Sequence, residues 1–491
     1  MPRIPHTDQA AALLYHARNA TPFLSADGQP CASLPGSIDS RHVVPIRSAA
    51  FRDWLTNAFY SEFEMAPSAT AFRSVLRTLE ARARYGDFPS QKLSHRLGFE
   101  GDPLTPSKII LDLANPSGQV LEMDSHGWRI RDNMHHSFRQ SITTLALPRP
   151  VVPVEQPAGI ALEALDRFAQ LFSLNDAGRA RILAWLANAF RPAGPYPILV
   201  LQGPPASGKT TLARALRALV DPSPALVRRL PDRDEEFLPY AFDNWILAFD
   251  DTYRFSSKIA DSLSAISSGD AMRIPQPDLR DALEVEVARP LILVAPQDET
   301  HAAWTPPRAL SHRTVTVQRH SIRRLSPERA LWSDFESLRP ALLGALAQAV
   351  VIALQRIRDI DLPSVARFPD AAQWCAAAAP ALGLKEQAAI DAITDPGAMW
   401  IGADPLRDAL RAVITPNGVW TGEAASLLNQ LRIAAPRATL PATPKGLVQA
   451  LPALFGFRIE RTRDAEGRRK LTIKRLADME QEATAGHMNR N

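Results

Sequence analysis

Ile198-Leu199-Val200-Leu201-Gln202-Gly203-Pro204-Pro205-Ala206-Ser207-Gly208-Lys209-Thr210-Thr211 decides how the rest of the chain is read. An apolar run ending in a glycine gives a buried strand that feeds a loop. Gly203 and Gly208 bracket Pro204, Pro205, Ala206 and Ser207, and Lys209 and Thr210 follow. In this spacing backbone N–H groups wrap a phosphate chain, the lysine reaches the β and γ phosphates, and the threonine hydroxyl ligates Mg²⁺. Thr211 leads into an amphipathic helix running to Val220, whose positive N-terminal end faces the phosphates. Strand, loop and helix in this order predict a nucleotide site formed by residues 203–211.

About forty residues further on, Trp245-Ile-Leu-Ala-Phe-Asp250-Asp251 delivers two carboxylates at the end of an apolar strand. Asp250 is placed to hold the Mg²⁺ shell and Asp251 to orient and partly deprotonate an attacking water. The competing reading is a core strand ending in a turn, with an aspartate as helix cap. A third strand, Arg289-Pro-Leu-Ile-Leu-Val294-Ala-Pro-Gln297, carries Val294 where a polar γ-phosphate sensor is usual, and Gln297 is the nearest polar substitute. Arg308 and His312-Arg313 precede another apolar strand, Thr314-Val-Thr-Val. Arg313 is the candidate to stabilise transition-state charge on a neighbouring subunit's nucleotide, against a structural role for either arginine.

The run from Pro197 to about Leu346 resembles the superfamily 3-like AAA+ helicases of bacteriophages, plasmids and integrative elements. The resemblance rests on GPPASGKTT from Gly203, ALVRRLPDRDEEFLPYAFDNWILAFDD ending at Asp251, SSGD from Ser267, RALSHRTVTV from Arg308 and the helical segment from Glu328. It implies ATP and Mg²⁺ as cofactors and a ring, commonly a hexamer, that translocates on single-stranded DNA. It also implies a channel hairpin touching the DNA backbone, whose counterpart here is Met272 to Ala288, with Arg273 and Arg280 as the contacts. Four acids in that stretch, Asp278, Asp281, Glu284 and Glu286, leave a purely structural hairpin open.

A chain of 491 residues suggests about three domains. Its 56 Lys plus Arg against 52 Asp plus Glu leave +4, which by itself does not announce nucleic acid. Cys31 and Cys375 form neither a disulfide framework nor a metal pair, so a reducing compartment and no zinc are expected. With no export signal and no run of eighteen apolar residues, the expected location is the cytoplasm.

Residues 1–145 read as an α+β domain with a DNA-binding or oligomerisation role. Helices are expected from Thr7, over Phe51 to Tyr60 and over Thr70 to Tyr85, followed by a meander through Ile109–Leu113, Gln119–Met123 and Gly127–Arg131. Arg41, Arg47, Arg52, Arg73, Arg77, Arg82, Arg84 and Lys92 form either a nucleic-acid face or solvated helix surfaces. His135 and His136 have only Asp132 nearby and read as loop histidines. Residues 146–195 comprise a proline-rich linker and two helices, Ile160 to Phe172 and Ala177 to Phe190, expected as a collar. The ATPase core spans 196–325 and a helical bundle 326–400.

Residues 401–477 order as helices over Pro405–Val413, from Thr421 and from a Thr443 cap with Pro444 at the first helical position. Two strands then flank Asp464-Ala-Glu-Gly, the order of a winged helix. From Trp420 to Arg475 there are eleven Lys or Arg against four Asp or Glu, a local excess of +7 in a chain of +4. DNA contacts are therefore expected from Lys445 on the recognition helix and from Arg461, Arg463, Arg468, Arg469 and Lys470 on the wing. A protein-binding winged helix is the alternative, and the tail 478–491 is expected to be disordered.

The whole is a multidomain, mainly α/β chain: an ATP-dependent DNA helicase for replication of a phage or mobile element, possessing single- and double-stranded DNA contacts and host replication partners. The rival is a DNA-binding ATP switch or initiator that recruits partners without unwinding. A small-molecule kinase fits poorly, since no lid or acceptor-site signature accompanies the basic C-terminal region.

Overall fold

A computed structural model of the chain describes residues 6–475 apart from 27, 36–41, 88–89, 92, 134–136, 140, 142, 152–156, 234–235, 253–255, 275–282, 297–306, 308, 311, 321–326, 363–367, 395–404, 416–417, 436–442, 452–456 and 464–468. Two compact units emerge, Met1–Asp298 with Trp304–Asp395, and Glu299–Ala303 with Pro396–Asn491. Both are mixed α/β.

The first unit opens with α1 (His6–Ala17), strands β1 (Thr21–Leu24), β2 (Pro30–Leu34) and β3 (His42–Pro45), and helices α2 (Ala49–Phe63) and α3 (Ala69–Tyr85). The helices lie where apolar spacing predicts them. Ser48 and Ser68 cap α2 and α3, each side chain accepting a backbone N–H three residues on. The antiparallel sheet β1–β2–β3 has no counterpart in the sequence reading. Pro22, Pro30 and Pro45 stand in its short strands, and proline, which cannot donate to a ladder, makes such runs read as loop. Leu13, Phe51, Leu55, Phe59, Val75 and Leu79 fill the core these elements enclose.

Next come β4 (Leu93–Ser94), β5 (Leu97–Gly101), β6 (Pro106–Asp112), β7 (Gln119–Asp124), β8 (Gly127–Asp132) and β9 (Ser137–Phe138). β5 to β8 form the expected antiparallel meander, extended by one strand at its start. Its Asn115–Gly118 turn is closed by Gly118 N–H donating to the Asn115 carbonyl at 2.9 Å, with Gly118 at φ 63, a value a glycine adopts without a Cβ penalty.

The proline-rich stretch expected as a linker is extended, but over residues 145–151 it is a packed strap. Leu145, Leu147 and Val151 donate backbone N–H groups to the carbonyls of Pro222, Leu113 and Pro340, and Leu147 is buried. Helices α4 (Pro157–Leu171) and α5 (Asp176–Ala189) follow. α5 is buried without a break from Ile182 to Ala189, so it is a core helix rather than a collar. Its run ILAWLANA is apolar on nearly every side, which only an interior helix tolerates.

The chain then lays down β10 (Ile198–Gly203), α6 (Lys209–Val220), β11 (Arg228–Arg229), α7 (Phe237–Asp243), β12 (Leu247–Asp250), α8 (Ser257–Ser268), β13 (Ala271–Ile274), β14 (Leu283–Glu286), β15 (Leu291–Pro296) and β16 (Thr314–Gln318). Five of these strands form a parallel sheet in the order β11–β12–β15–β10–β16. β10 is buried throughout, and its side chains alternate between two cores. Leu199 and Leu201 join the cluster of α5, α6 and the long helix described below, while Ile198 and Val200 join Phe237, Phe249 and Leu263. Each such side chain contributes about 1.5–3 kcal/mol by leaving water, which explains the unbroken apolar run.

One carboxylate ties this sheet to the meander. Asp221, just past α6, accepts from the N–H groups of Trp245 at 2.8 Å and Ile246 at 3.1 Å, and from Arg96 Nε at 3.1 Å. Arg96 also donates to the carbonyls of Asp112 and Leu145. The same aspartate thereby fixes the end of the phosphate-loop helix and the approach to β12.

Helix α9 (Glu328–Arg356) runs through Pro340 as one element and takes in the helical segment expected from Glu328. Its apolar 18-residue window has mean hydropathy 1.7 and passes a length-and-composition test for a membrane span, but it is 67% buried in the protein. Packing against α4, α6 and β7 accounts for that apolarity. α10 (Pro369–Ala378) and α11 (Glu386–Thr394) complete the unit. The strap crosses α9 at Gly344, where an added Cβ would stand 2.3 Å from the Val151 carbonyl oxygen. Gly344→Ala is expected to cost about 1–3 kcal/mol, read as a drop of several degrees in the thermal unfolding midpoint.

The second unit contains α12 (Pro405–Val413), β17 (Val419–Gly422), α13 (Ala424–Ala434), α14 (Pro444–Ala450), β18 (Phe457–Arg463) and β19 (Arg469–Arg475), with the strands ordered β17–β19–β18. Thr443 caps α14 as expected, its hydroxyl accepting from Gly446 N–H at 3.1 Å. Thr421 does not cap α13. It lies in β17, paired with Thr472, and the helix begins at Ala424. Leu410, Leu427, Leu431, Leu447 and Ile473 form this unit's core.

Candidate active site

The loop between β10 and α6 lies at the carboxyl edge of the parallel sheet, where ligands of such sheets bind. Gly203 is demanded by packing: a Cβ there would come within 2.4 Å of the Arg319 carbonyl oxygen. Ala206 and Gly208 take left-handed conformations, φ 58 and φ 71, which fold the loop back before the helix begins at Lys209. Pro205 and Ala206 are exposed, Ser207 is buried, and Thr211 lies in the first turn of α6. The helix has no side-chain cap. Its first N–H groups therefore remain directed along the helix axis at the loop.

Lys209 Nζ donates to the carbonyls of Gly203 at 2.7 Å and Pro204 at 2.6 Å, and to Ser207 Oγ at 3.3 Å. Burial lowers the lysine pKa; Asp250 opposes that shift, and the neighbouring Arg319 adds to it. Forty-one positions later, the Asp250 carboxylate reaches the same place. Thr210 Oγ1 donates to Asp250 Oδ2 at 3.0 Å, so hydroxyl and carboxylate meet at the start of α6. Asp250 Oδ1 in turn accepts the Asp251 N–H at 3.0 Å.

Asp251 is exposed and left-handed, φ 55, a conformation costly for a residue with a Cβ. The next residue holds it there: Thr252 donates both its N–H, at 3.1 Å, and its hydroxyl, at 2.9 Å, to the Val294 carbonyl of β15. Val294 itself is buried in the core, so this position offers no polar side chain. Gln297 lies outside the described residues.

Arg313 sits at the other end of the sheet. Its carbonyl accepts Ile198 N–H at 2.8 Å, beside the first residue of β10, and its Nη1 donates to Ser268 Oγ at the end of α8. A strand rises about 3.3 Å per residue, so the length of β10 puts Arg313 roughly 17 Å from its own phosphate loop. Arg308 lies outside the described residues.

Arg319, absent from the sequence reading, is a further residue of this site. It follows β16, is buried, and donates from Nε to the Ser207 carbonyl at 3.2 Å and from Nη1 to the Ser173 carbonyl at 3.1 Å, while its N–H bonds the Gln202 carbonyl at 2.7 Å. The phosphate loop is gripped from behind by this guanidinium. Arg319→Met strips the buried Ser207 carbonyl and the Ser173 carbonyl of a charged donor and should raise the ATP KM about tenfold, for roughly 1–3 kcal/mol lost. Partial recovery of KM in Arg319→Lys would separate the donor's role from its bulk.

Of the DNA candidates, Arg273 lies in β13 opposite Glu284 of β14, and Arg280 lies outside the described residues. Lys445 is exposed in the first turn of α14. Arg461 and Arg463 lie in β18, Arg469 and Lys470 in β19, and Arg468 lies outside the described residues.

Residues 165–397 match a family described as the actinomycete integrative conjugative element replication protein. The match is somewhat under half of the chain and includes the phosphate loop, both aspartates and Arg313. Over that segment the resemblance to replication proteins of mobile elements holds. No curated protein matches the chain. Among solved structures, the apo NrS-1 C-terminal region (305–718) is 10% identical, with 96% of this chain and 100% of that chain covered and a TM-score of 0.41. SCCmec type IV Cch, described as an active helicase, is 12% identical over 95% of this chain and 94% of its own, with a TM-score of 0.47. The JCV helicase is 14% identical over 46% of this chain and 74% of its own, with a TM-score of 0.23. These likenesses are distant.

Proposed function

We propose that this chain is an ATP-driven DNA helicase of the AAA+ type that serves replication of a mobile element, working as a ring, most simply a hexamer, on single-stranded DNA. The observation that carries the reading is the 3.0 Å contact between Thr210 and Asp250 at the start of α6, beneath a loop held open by Gly203 and Gly208. A hydroxyl and a carboxylate oxygen are the hard donors that Mg²⁺ prefers, and two protein ligands leave positions for phosphate and water. Bound there, Mg²⁺ would neutralise charge on the β and γ phosphates.

In this reading Lys209 exchanges its loop carbonyls for phosphate oxygens, and Arg319 keeps the loop in shape as it does so. Asp251, fixed in its left-handed turn, accepts a proton from the attacking water. Arg313 serves the nucleotide of the adjacent subunit, since its own lies at the far edge of the sheet. The second unit, ordered helix, strand, helix, helix, strand, strand, is read as a winged helix that touches duplex DNA through Lys445 and the basic strands β18 and β19.

One observation favours the rival, a switch that binds DNA and recruits partners. The apolar Val294 supplies no polar sensor to couple phosphate release to motion. Strand displacement on forked DNA separates the two. ATP-dependent displacement by the purified chain supports the motor; DNA binding without displacement supports the switch.

A further inference from the structure

Helix α3 presents a line of arginines to solvent. At 100° per residue, Arg73, Arg77 and Arg84 fall within a sector of about 40° and extend over about 16 Å of helix. All three are exposed, and among the described residues none has a carboxylate partner. The helix contains one acid, Glu80, and it is buried. It is 6% exposed, and Arg47 holds both its oxygens, from Nε and, at 3.0 Å, from Nη2. Around the axis Glu80 lies about 20° from Arg73, at the buried edge of the stripe, and its ion pair with Arg47 neutralises the one acid of the helix. Arg82, also exposed, projects about 180° from Arg73 around the axis, at the other edge of the solvent face.

We propose that this stripe docks on the phosphate backbone of duplex DNA, independently of sequence and of nucleotide. Three rigidly spaced cations on a straight rod suit a duplex, which offers one phosphate per about 1.7 Å of its axis. Single-strand sites combine a basic groove with stacked aromatic platforms, and the α3 face offers one exposed ring, Tyr85. The contact adds a third DNA-binding element, in the N-terminal region, and does not depend on ATP hydrolysis.

The test compares the full-length wild type with R73Q/R77Q/R84Q for binding a labelled random-sequence duplex, by anisotropy at several salt concentrations without nucleotide. Loss of three phosphate contacts should reduce the slope of log K against log salt by about 2.7. Glutamine has nearly the helix propensity of arginine, and the triple lysine variant, which keeps the charge, should keep the slope and so exclude misfolding as the cause. Arg82→Gln should leave the slope unchanged. An unchanged slope in the triple glutamine variant overturns the proposal, as does an equal loss per charge in Arg82→Gln or a loss seen only with an RNA duplex. ATP turnover by the same preparations reports on the motor separately: a lost slope beside absent turnover would leave this docking face standing and the helicase reading fallen.

Discussion

ATP turnover by Lys209→Ala is expected to fall by about 10²–10³-fold or more, the cost of removing one preorganised donor from a developing oxyanion. The ammonium is half-buried, with two loop carbonyls and one hydroxyl around it and no carboxylate bonded to it. A phosphate chain entering the loop offers this charge a far better partner than the carbonyls do. Alanine should leave the fold intact, because Gly203, Ala206 and Gly208 shape the loop through backbone conformation and packing rather than through the lysine. The expected pattern is therefore unchanged thermal unfolding without nucleotide, loss of the stabilisation that ATP gives the wild type, and loss of strand displacement. Retained turnover would remove Lys209 from the chemistry.

The larger effect is expected at Arg313. An arginine finger contributes about 10³–10⁵ in kcat, and Arg313→Ala should lose turnover on that scale with little change in ATP affinity. The geometry adds a sharper expectation. Ile198 pairs with Thr314 at one end of the β10–β16 ladder and Gln202 with Gln318 at the other, so Arg313 and the loop of one chain lie at opposite ends. The arginine can reach a phosphate only on another copy. Mixing Arg313→Ala with Lys209→Ala should restore part of the activity that each lacks, because some interfaces then combine an intact loop with an intact arginine. If the mixture stays inactive while both variants still assemble, Arg313 is a structural residue bonded to Ser268.

The parts of this site that could be read in the sequence are those with local causes. Gly203 and Gly208 announce the loop because only a glycine avoids Arg319 and readily turns left-handed there, and the apolar run before Asp250 reports burial on both sheet faces. Arg319 carries no such signal. It stands 112 positions from the Ser207 carbonyl it holds, and only strand pairing brings them together. The same holds for Asp221, whose bonds to Arg96, Trp245 and Ile246 unite three separate segments. Misread stretches trace to proline and to turn chemistry. Pro22, Pro30 and Pro45 hid the first sheet. Thr421-Gly-Glu resembled a helix cap although β19 recruits it as a strand. The α3 stripe was visible as charge, but the burial of Glu80 beside it and its pairing with Arg47 were not.

Steady-state ATP turnover by the purified wild-type chain, with Mg²⁺ and with or without a single-stranded oligonucleotide, tests the account most directly. The expected result is Mg²⁺-dependent hydrolysis that rises when the oligonucleotide is added. Absence of hydrolysis under both conditions would contradict it.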